Sequence, residues 1–186
     1  MPFEFLPTTL PDVIQVKSRL FSDDRGSFTE TYKQSDFFKA GIDHTFVQDN
    51  HSVSTAGTLR GLHYQLPPHA QGKLVRVVAG RAWDVAVDLR RSSVTFAQWI
   101  GIELNAADST MLWIPLGFAH GFLALEDQTH LIYKCTAEYD RGSERSIRWD
   151  DPDLAIDWPI LPSGAEYRLS EKDSIAPLLP ASEVFP

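Results

Sequence analysis

Five polar residues interrupt segments of the sequence that are otherwise apolar: His63, Lys73, Asp84, His120 and Tyr133. A polar side chain in an apolar environment costs free energy unless it is hydrogen-bonded. Imidazole and phenol groups transfer protons in enzymes, and a buried ammonium stabilises negative charge. Because all five lie in segments typical of strands, they can converge inside one β structure. The pattern therefore predicts an acid–base site in the interior of a β protein.

Short strands are the elements that must position these side chains. Residues 82–89 alternate between an apolar face that begins at Trp83 and a face that carries Asp84 and Asp88. Further strand-like segments are residues 73–79, 98–104, 110–114, 118–125 and 131–139. Many short strands with turn residues between them predict an all-β fold, either a sandwich or a closed barrel.

Helix is scarce in this sequence. The segment from Ser35 to Gly41 predicts a helix of about two turns or fewer, with Ser35 as its N-cap and Gly41 at its end. Near the C-terminus, Ser170 is typical of a residue that caps a second short helix. We therefore expect only a few short helices beside the strands.

Prolines predict that roughly the last 35 residues form a mostly irregular segment, wrapped over the barrel. They are Pro152, Pro159, Pro162, Pro177 and Pro180. Asp173 in this segment has two interpretations. It can complete the cap of Ser170, or its carboxylate can hold the His63 ring in one tautomer if the segment folds over the barrel mouth.

Composition limits the classes of protein. The 186 residues fit a single domain over 1–186, with an N-terminal arm and an irregular C-terminal segment. There is no apolar run of membrane-spanning length and no secretion signal, so we expect a cytoplasmic protein with no membrane partner. A net charge of −8 argues against nucleic acid, although a few cations in a pocket can still bind a phosphate. Cys135 is the only cysteine, which excludes an internal disulfide and a Cys-rich zinc site.

Arg60 is harder to place than its neighbours. Strict alternation puts His63 on one face of a strand with Leu59 and Gly61, and Arg60 on the opposite face. Arg60 therefore reaches the ligand of His63 only if Gly61 permits a bulge or if the ligand spans a strand edge.

The arrangement resembles that of cupin barrels. Metal-binding cupins carry a His-x-His pair, a Glu seven residues before a Gly, and a later His after a Pro-x-Gly turn. Here His63 and His120 remain, whereas Gln65 stands at the second His, and Lys73, before Gly80, stands at the Glu. An ammonium repels a divalent cation. The resemblance implies a jelly-roll (cupin) β-barrel or sandwich, and these replacements predict that it binds no metal.

The chain also resembles the dTDP-4-dehydrorhamnose 3,5-epimerase family over nearly its full length. The matching segments are residues 21–26, 48–52, 59–65, 115–122, 133–134 and 170–173, together with Lys73. The resemblance implies an isomerase of dTDP-L-rhamnose synthesis that acts on the nucleotide sugar dTDP-4-keto-6-deoxy-D-glucose. It further implies a homodimer in which an N-terminal segment joins the partner's sheet. No cofactor is implied, and the sequence has no Gly-rich dinucleotide motif.

The resemblance assigns roles to individual residues. His63 matches the base, Asp173 its partner, Tyr133 the proton donor, and Lys73 the group that faces the C4 oxygen. Tyr139 resembles an aromatic residue that packs on the nucleotide base. The other substrate-contacting positions are Arg25, Glu30, Gln48, Asn50, Arg60, His120, Glu144 and Lys172. Removal of the proton at C3 or C5 would give an enolate whose charge settles on the C4 oxygen.

Other functions stay open at this point. One is an epimerase that acts at only C3 or C5, or a ketoisomerase of a related nucleotide sugar. A metal-dependent cupin oxygenase is a different class, and a sugar-binding module without turnover is a third. Deuterium incorporation, metal analysis and a His63→Ala variant, respectively, distinguish these functions from the double epimerase.

Overall fold

The computed structural model describes residues 2–161 and 164–186 of the chain. Its strands are β1 (Phe3–Pro7), β2 (Ile14–Ser18), β3 (Leu20–Asp23), β4 (Gly26–Thr29), β5 (Gln48–Ser54), β6 (Leu59–Gln65), β7 (Lys73–Ala79), β8 (Arg81–Asp88), β9 (Trp99–Asn105), β10 (Thr110–Ile114), β11 (Phe118–Ala124), β12 (Thr129–Cys135) and β13 (Glu144–Ser146). The helices are α1 (Gln34–Lys39), α2 (Glu171–Ser174) and a 3₁₀ turn at Leu179–Ala181. The predicted all-β class with a few short helices is confirmed.

Most strands belong to two antiparallel sheets. Sheet I has the order β1-β2-β10-β7-β12-β5, and sheet II has the order β13-β6-β11-β8-β9. From β5 onward, consecutive strands mostly alternate between the two sheets, as expected for the predicted jelly roll. Strands β3 and β4 pair with each other as a separate hairpin.

Apolar side chains from both sheets fill the space between them. Val75 and Leu131 of sheet I pack with Ala86 and Phe118 of sheet II. The predicted alternation of β8 is confirmed, because Ala86 faces this interior whereas Val85 belongs to a separate apolar cluster outside sheet II. The period of two places the polar residues of β8 on the inner side with Ala86.

The C-terminal segment covers the outer face of sheet II. Leu154, Trp158, Leu179 and Phe185 are buried there in the same cluster as Val85. Apart from α2 and the short 3₁₀ turn, the described part of the segment is mostly irregular, which confirms the prediction. Pro162 lies outside the described residues. This burial holds α2 against β6.

Helix α1 forms where a short helix was predicted, but the predicted N-cap is wrong. The helix begins at Gln34, and Lys33 occupies the cap position without a side-chain hydrogen bond. The reason is burial: Phe37 is fully buried beside Phe3, and the cap lies two residues earlier than the capping pattern suggested. Gly41 ends the helix as predicted, with φ of +87° and its N–H donating to Phe38 O.

Strand β12 is shorter than predicted, since it ends at Cys135 and not at residue 139. The backbone beyond it turns away because side-chain amides take the carbonyls. Gln71 Nε2 donates to Ala137 O at 2.7 Å, and Gln65 Nε2 donates to Glu138 O at 3.2 Å.

Candidate active site

A bulge in β6 brings Arg60 and His63 to the same side of sheet II. His63 pairs with His120 of β11, but Arg60 pairs with Phe122, so β6 has one residue more than β11 over this interval. Gly61 makes the bulge possible: its φ is +127°, and a Cβ there would lie 2.5 Å from Gly121 Cα. The condition stated for Arg60 is therefore met. Arg60 and His63 line one cavity of about 490 Å³.

Asp173, in helix α2, orients the ring of His63, in strand β6. His63 Nε2 lies 2.6 Å from Asp173 Oδ1, and the Asp173 side chain is 5% exposed. Ser170 Oγ accepts a hydrogen bond from the backbone N–H of Asp173 at 3.1 Å, so the carboxylate stays available for the imidazole. Of the two interpretations of Asp173, the structure has the one in which it holds the His63 ring. With the proton fixed on Nε2, the free lone pair is on Nδ1.

His63 in turn affects the pKa of the Asp173 carboxyl. Burial raises the pKa of this carboxyl, but the hydrogen bond and charge of His63, with Ser170 and Lys172, outweigh burial and place the pKa below its usual value. Asp173 is therefore an anion at neutral pH. A carboxylate in this position stabilises an imidazolium that forms when His63 takes a proton.

Tyr133 and Lys73 approach the same space from the opposite sheet. Both belong to sheet I, and together with His63 of sheet II they line a cavity of about 370 Å³. Tyr133 also lines the larger cavity with His63, so the two cavities form one cleft. Burial, with Cys135 and Glu144, raises the pKa of Tyr133, so its phenol stays protonated at neutral pH.

Lys73 is a buried amine in this cleft. It is 6% exposed, and burial lowers its pKa, while the nearby Cys135 and Asp84 act in the opposite direction. His120 lies beside Tyr133, with ring centroids 6.2 Å apart, and its Nε2 is 2.8 Å from Asp84 Oδ2. The Lys73 amine and the His120 imidazole therefore border the cleft that His63 and Tyr133 line.

At one end of the cleft, polar residues join β5 to the loop after β12. Gln48 donates to Asn50 Oδ1 at 3.0 Å and accepts from the Tyr139 N–H at 2.7 Å. The Tyr139 hydroxyl donates to Glu144, which pairs with Lys172 at 2.5 Å. All five residues line the cleft. Tyr139 is 55% exposed, so its ring is available to a ligand at the mouth.

Arg25 and Glu30 are not brought to this cleft. The Arg25 side chain is 86% exposed on the hairpin of β3 and β4, where it pairs with Asp23. Glu30 follows the hairpin and lines neither cavity of the cleft.

The sequence analysis did not identify Arg168, which lines the larger cavity. The backbone of Arg168 forms an isolated β-bridge with Thr58. Its position depends on how the irregular C-terminal segment folds, so no local sequence signal identified it.

The metal-binding positions of cupins are occupied differently here. Within residues 2–161 and 164–186, no group of three or more His, Cys, Asp or Glu side chains is placed to hold a metal ion. Gln65 uses its amide for the backbone: Nε2 donates to the carbonyls of His69 and Glu138, and Oε1 accepts from the N–H of Asp140. Among the described residues, no helix has the length and apolarity needed to cross a bilayer.

Taken together, an antiparallel jelly roll with an imidazole–carboxylate pair, a phenol and an ammonium around one interior cleft defines a cupin-like protein built for acid–base chemistry. The family description "dTDP-4-dehydrorhamnose 3,5-epimerase" matches residues 7–181 of the chain. The chain therefore belongs to the dTDP-4-dehydrorhamnose 3,5-epimerase family, and it is an isomerase of the epimerase class.

Individual relatives agree with this assignment. A dTDP-4-dehydrorhamnose 3,5-epimerase of Shigella flexneri is 51% identical over 169 residues, which cover 90% of this chain and 91% of that protein. The crystal structure of a dTDP-6-deoxy-D-glucose-3,5-epimerase from Legionella pneumophila, in complex with dTDP-4-keto-L-rhamnose, superposes with a TM-score of 0.92 at 44% identity, covering 96% and 94% of the two chains. A 3'-monoepimerase from Streptomyces bikiniensis, in complex with dTDP-quinovose, has a TM-score of 0.85 at 34% identity, covering 94% and 87%.

Proposed function

We propose that this protein inverts C3 and C5 of dTDP-4-dehydro-6-deoxy-D-glucose, as a step of dTDP-L-rhamnose synthesis. Each inversion removes the proton next to the C4 ketone and returns a proton to the other face of the ring. The observation that carries this proposal is that His63 and Tyr133 line one cleft from opposite sheets. A base and an acid on opposite sides of a sugar ring are what inversion requires.

His63 is the proposed base. Its Nε2 proton is held by Asp173, so Nδ1 takes the proton from carbon, and the carboxylate then stabilises the imidazolium. Tyr133 is the proposed acid, because burial keeps its phenol protonated and an enolate is basic enough to accept that proton. Asp173 does not itself accept the proton, since its pKa is below the usual value.

Lys73 stabilises the enolate in this proposal, with His120 beside it. The negative charge develops on the C4 oxygen, and a preorganised cation in a water-poor cleft stabilises such a charge more strongly than water does. The burial of Lys73 supports this role. Each inversion leaves His63 as an imidazolium and Tyr133 as a phenolate, and both return to their starting forms by proton exchange with water. The electron pair moves only between the carbon and the C4 oxygen, so the proposal includes no cofactor and no metal.

The nucleotide part of the substrate extends along the rest of the cleft. Arg60 and Lys172 line the larger cavity, and in this proposal they bind the diphosphate by charge-assisted hydrogen bonds. Gln48, Asn50 and Glu144 contact the substrate through polar groups, and the exposed ring of Tyr139 stacks on the base. The chain acts as a single catalytic domain in the cytoplasm, without nucleic acid or membrane partners.

A second copy of the chain completes the site in this proposal. Arg25 and Glu30 match substrate-contacting positions of the family, yet in one chain they lie off the cleft on or beside an exposed hairpin. Phe21 and Phe28 of that hairpin are 44% and 65% exposed, which supports its packing on a partner.

Mixing inactive variants tests this dimer. Arg25→Ala and His63→Ala chains, unfolded and refolded together, should regain activity, because one site of each mixed dimer receives Arg25 from one chain and His63 from the other. Activity that stays at the level of the separate variants contradicts an exchanged site.

Deuterium incorporation tests the proposed reaction. In D₂O, NMR of the nucleotide sugar should show label at both C3 and C5 with wild-type protein and at neither carbon with His63→Ala. His69→Ala is the matched control, since this exposed histidine follows β6 and lines neither cavity of the cleft. Label at one carbon indicates a single-position epimerase, migration of the carbonyl indicates a ketoisomerase, and binding without label indicates a sugar-binding module.

A further inference from the structure

The buried carboxylate of Asp84 is not used by the proposed reaction. Its side chain is 0% exposed in the interior between the sheets. One oxygen, Oδ2, lies 2.8 Å from His120 Nε2. The other, Oδ1, is buried without a hydrogen-bond partner among the described residues. An ionised carboxylate in such a place is costly unless nearby charge compensates it.

Lys73 can supply this charge. It belongs to the opposite sheet, and while burial lowers the pKa of Lys73, the charge of Asp84 acts in the opposite direction without a direct contact. Across the described chain, Lys73 Nζ has no hydrogen bond or ion pair. A buried ammonium without a counter-charge tends to lose its proton, and a neutral amine stabilises an oxyanion poorly.

We propose that Asp84 is a positioning residue of the cleft, which fixes the ring of His120 through Oδ2 and whose buried, uncompensated charge favours the ammonium form of Lys73 across the interior. The role of Lys73 in this proposal rests on the proposed function, whereas the electrostatic coupling of Asp84 and Lys73 can be tested on the folded chain without substrate. Asp84 touches no reacting atom in this scheme. It acts through the two groups that border the C4 oxygen.

Other titratable groups near Lys73 can also affect its protonation. Cys135 of the neighbouring strand β12 would favour the ammonium only as a thiolate, and His63, Tyr133 and Glu144 line the same cavity as Lys73. Burial raises the pKa of the Cys135 thiol, so at neutral pH this residue is uncharged and does not replace the carboxylate.

Asp84→Asn is the informative variant, because it removes the charge and keeps the shape. We expect kcat to fall roughly ten- to a hundredfold, less than the ~100- to 1,000-fold loss from removing a stabilising donor itself. The KM should change by less than about threefold, because the carboxylate does not contact substrate. The alkaline limb of the kcat profile should move to lower pH, since Lys73 then loses its proton more easily.

Asp88→Asn is the matched control. Asp88 is a second fully buried carboxylate of β8, but it binds Arg90, Ser93 and Thr95, and it lines neither cavity of the cleft. This variant should lower the melting temperature and leave the pH profile of kcat in place. A wild-type kcat and an unmoved alkaline limb in Asp84→Asn overturn the proposal.

A thermal double-mutant cycle tests the pairing without reference to activity. Lys73→Met leaves the Asp84 carboxylate without a compensating charge, and Asp84→Asn leaves the Lys73 ammonium without one. The double variant removes both charges, so its melting temperature should fall by less than the sum of the decreases in the two single variants. Additive losses overturn the pairing. Wild-type protein that does not label its substrate would contradict the proposed function and leave this cycle to decide on Asp84.

Discussion

Replacement of Asp173 by Asn perturbs the base of the proposed reaction without changing the shape of the site. The hydrogen bond from His63 Nε2 to Asp173 Oδ1 is 2.6 Å long and joins a partly exposed imidazole to a buried carboxylate. A hydrogen bond to a charged group contributes about 1.5–3 kcal/mol. At ~1.36 kcal/mol per factor of ten, its loss from the transition state, where His63 is cationic, slows exchange by roughly 10- to 150-fold.

A change of tautomer adds to this loss. The amide of Asn can donate to Nε2, which moves the ring proton to Nδ1 and removes the lone pair that acts as base. The slowing of roughly 10- to 150-fold is therefore a lower limit for the effect on proton exchange. The KM should stay near the wild-type value, because Asp173 acts through His63.

The assay is deuterium exchange at C3 and C5, followed by NMR under saturating substrate. Ser170→Ala is the control, because it removes the cap hydrogen bond to the Asp173 N–H and keeps the carboxylate. It should cost about 0.5–2 kcal/mol of stability and change exchange by less than Asp173→Asn. An Asp173→Asn protein that exchanges protons within about threefold of the wild-type rate would refute the assignment of Asp173 as the partner of His63.

Three further outcomes follow from the geometry. Lys73→Met should lower kcat by ~100- to 1,000-fold. The alkaline limb of kcat should move from the titration of Lys73, whose pKa is lowered by burial, to the higher pH at which Tyr133 loses its proton, because burial raises the Tyr133 pKa. A wild-type kcat contradicts the role of Lys73. Gly61→Ala should destabilise the fold by at least about 3 kcal/mol in urea unfolding, because the new Cβ would meet Gly121 Cα. Gly142→Ala is the control, and its Cβ would come no closer than 3.3 Å to another group. This control should change stability by less than about 1 kcal/mol. Prolonged dialysis against a chelator should leave exchange unchanged; stoichiometric metal and loss of activity on its removal would favour an oxygenase.

Periodicity and composition predicted the central strands of both sheets, but not β1 and β2 at the edge of sheet I or β13 at the edge of sheet II. β7 and β10 have the predicted bounds, and β8 has the predicted faces, because alternation is imposed by burial of one side of a strand. The N-cap of α1 was wrong because packing of Phe37 overrode the local capping preference. The end of β12 was wrong because amides from distant segments, such as Gln71, bind its continuation.

The site was predictable only in part. Polar residues in apolar strands identified His63, Lys73 and Tyr133, and the cleft does contain all three. The side on which Arg60 lies depends on a bulge, which alternation alone does not reveal. Arg168 reaches the cleft through an irregular segment, and its position results from tertiary packing rather than from local sequence.

The central claim is that an imidazole removes the proton from one face of the sugar and a phenol returns one to the other. Tyr133→Phe tests it most directly, with Tyr167→Phe as control, since the Tyr167 hydroxyl binds backbone carbonyls of the C-terminal segment and its ring lines neither cavity of the cleft. NMR in D₂O should show that Tyr133→Phe still exchanges protons through His63 but no longer gives the inverted product. Unimpaired inversion in this variant would contradict the account.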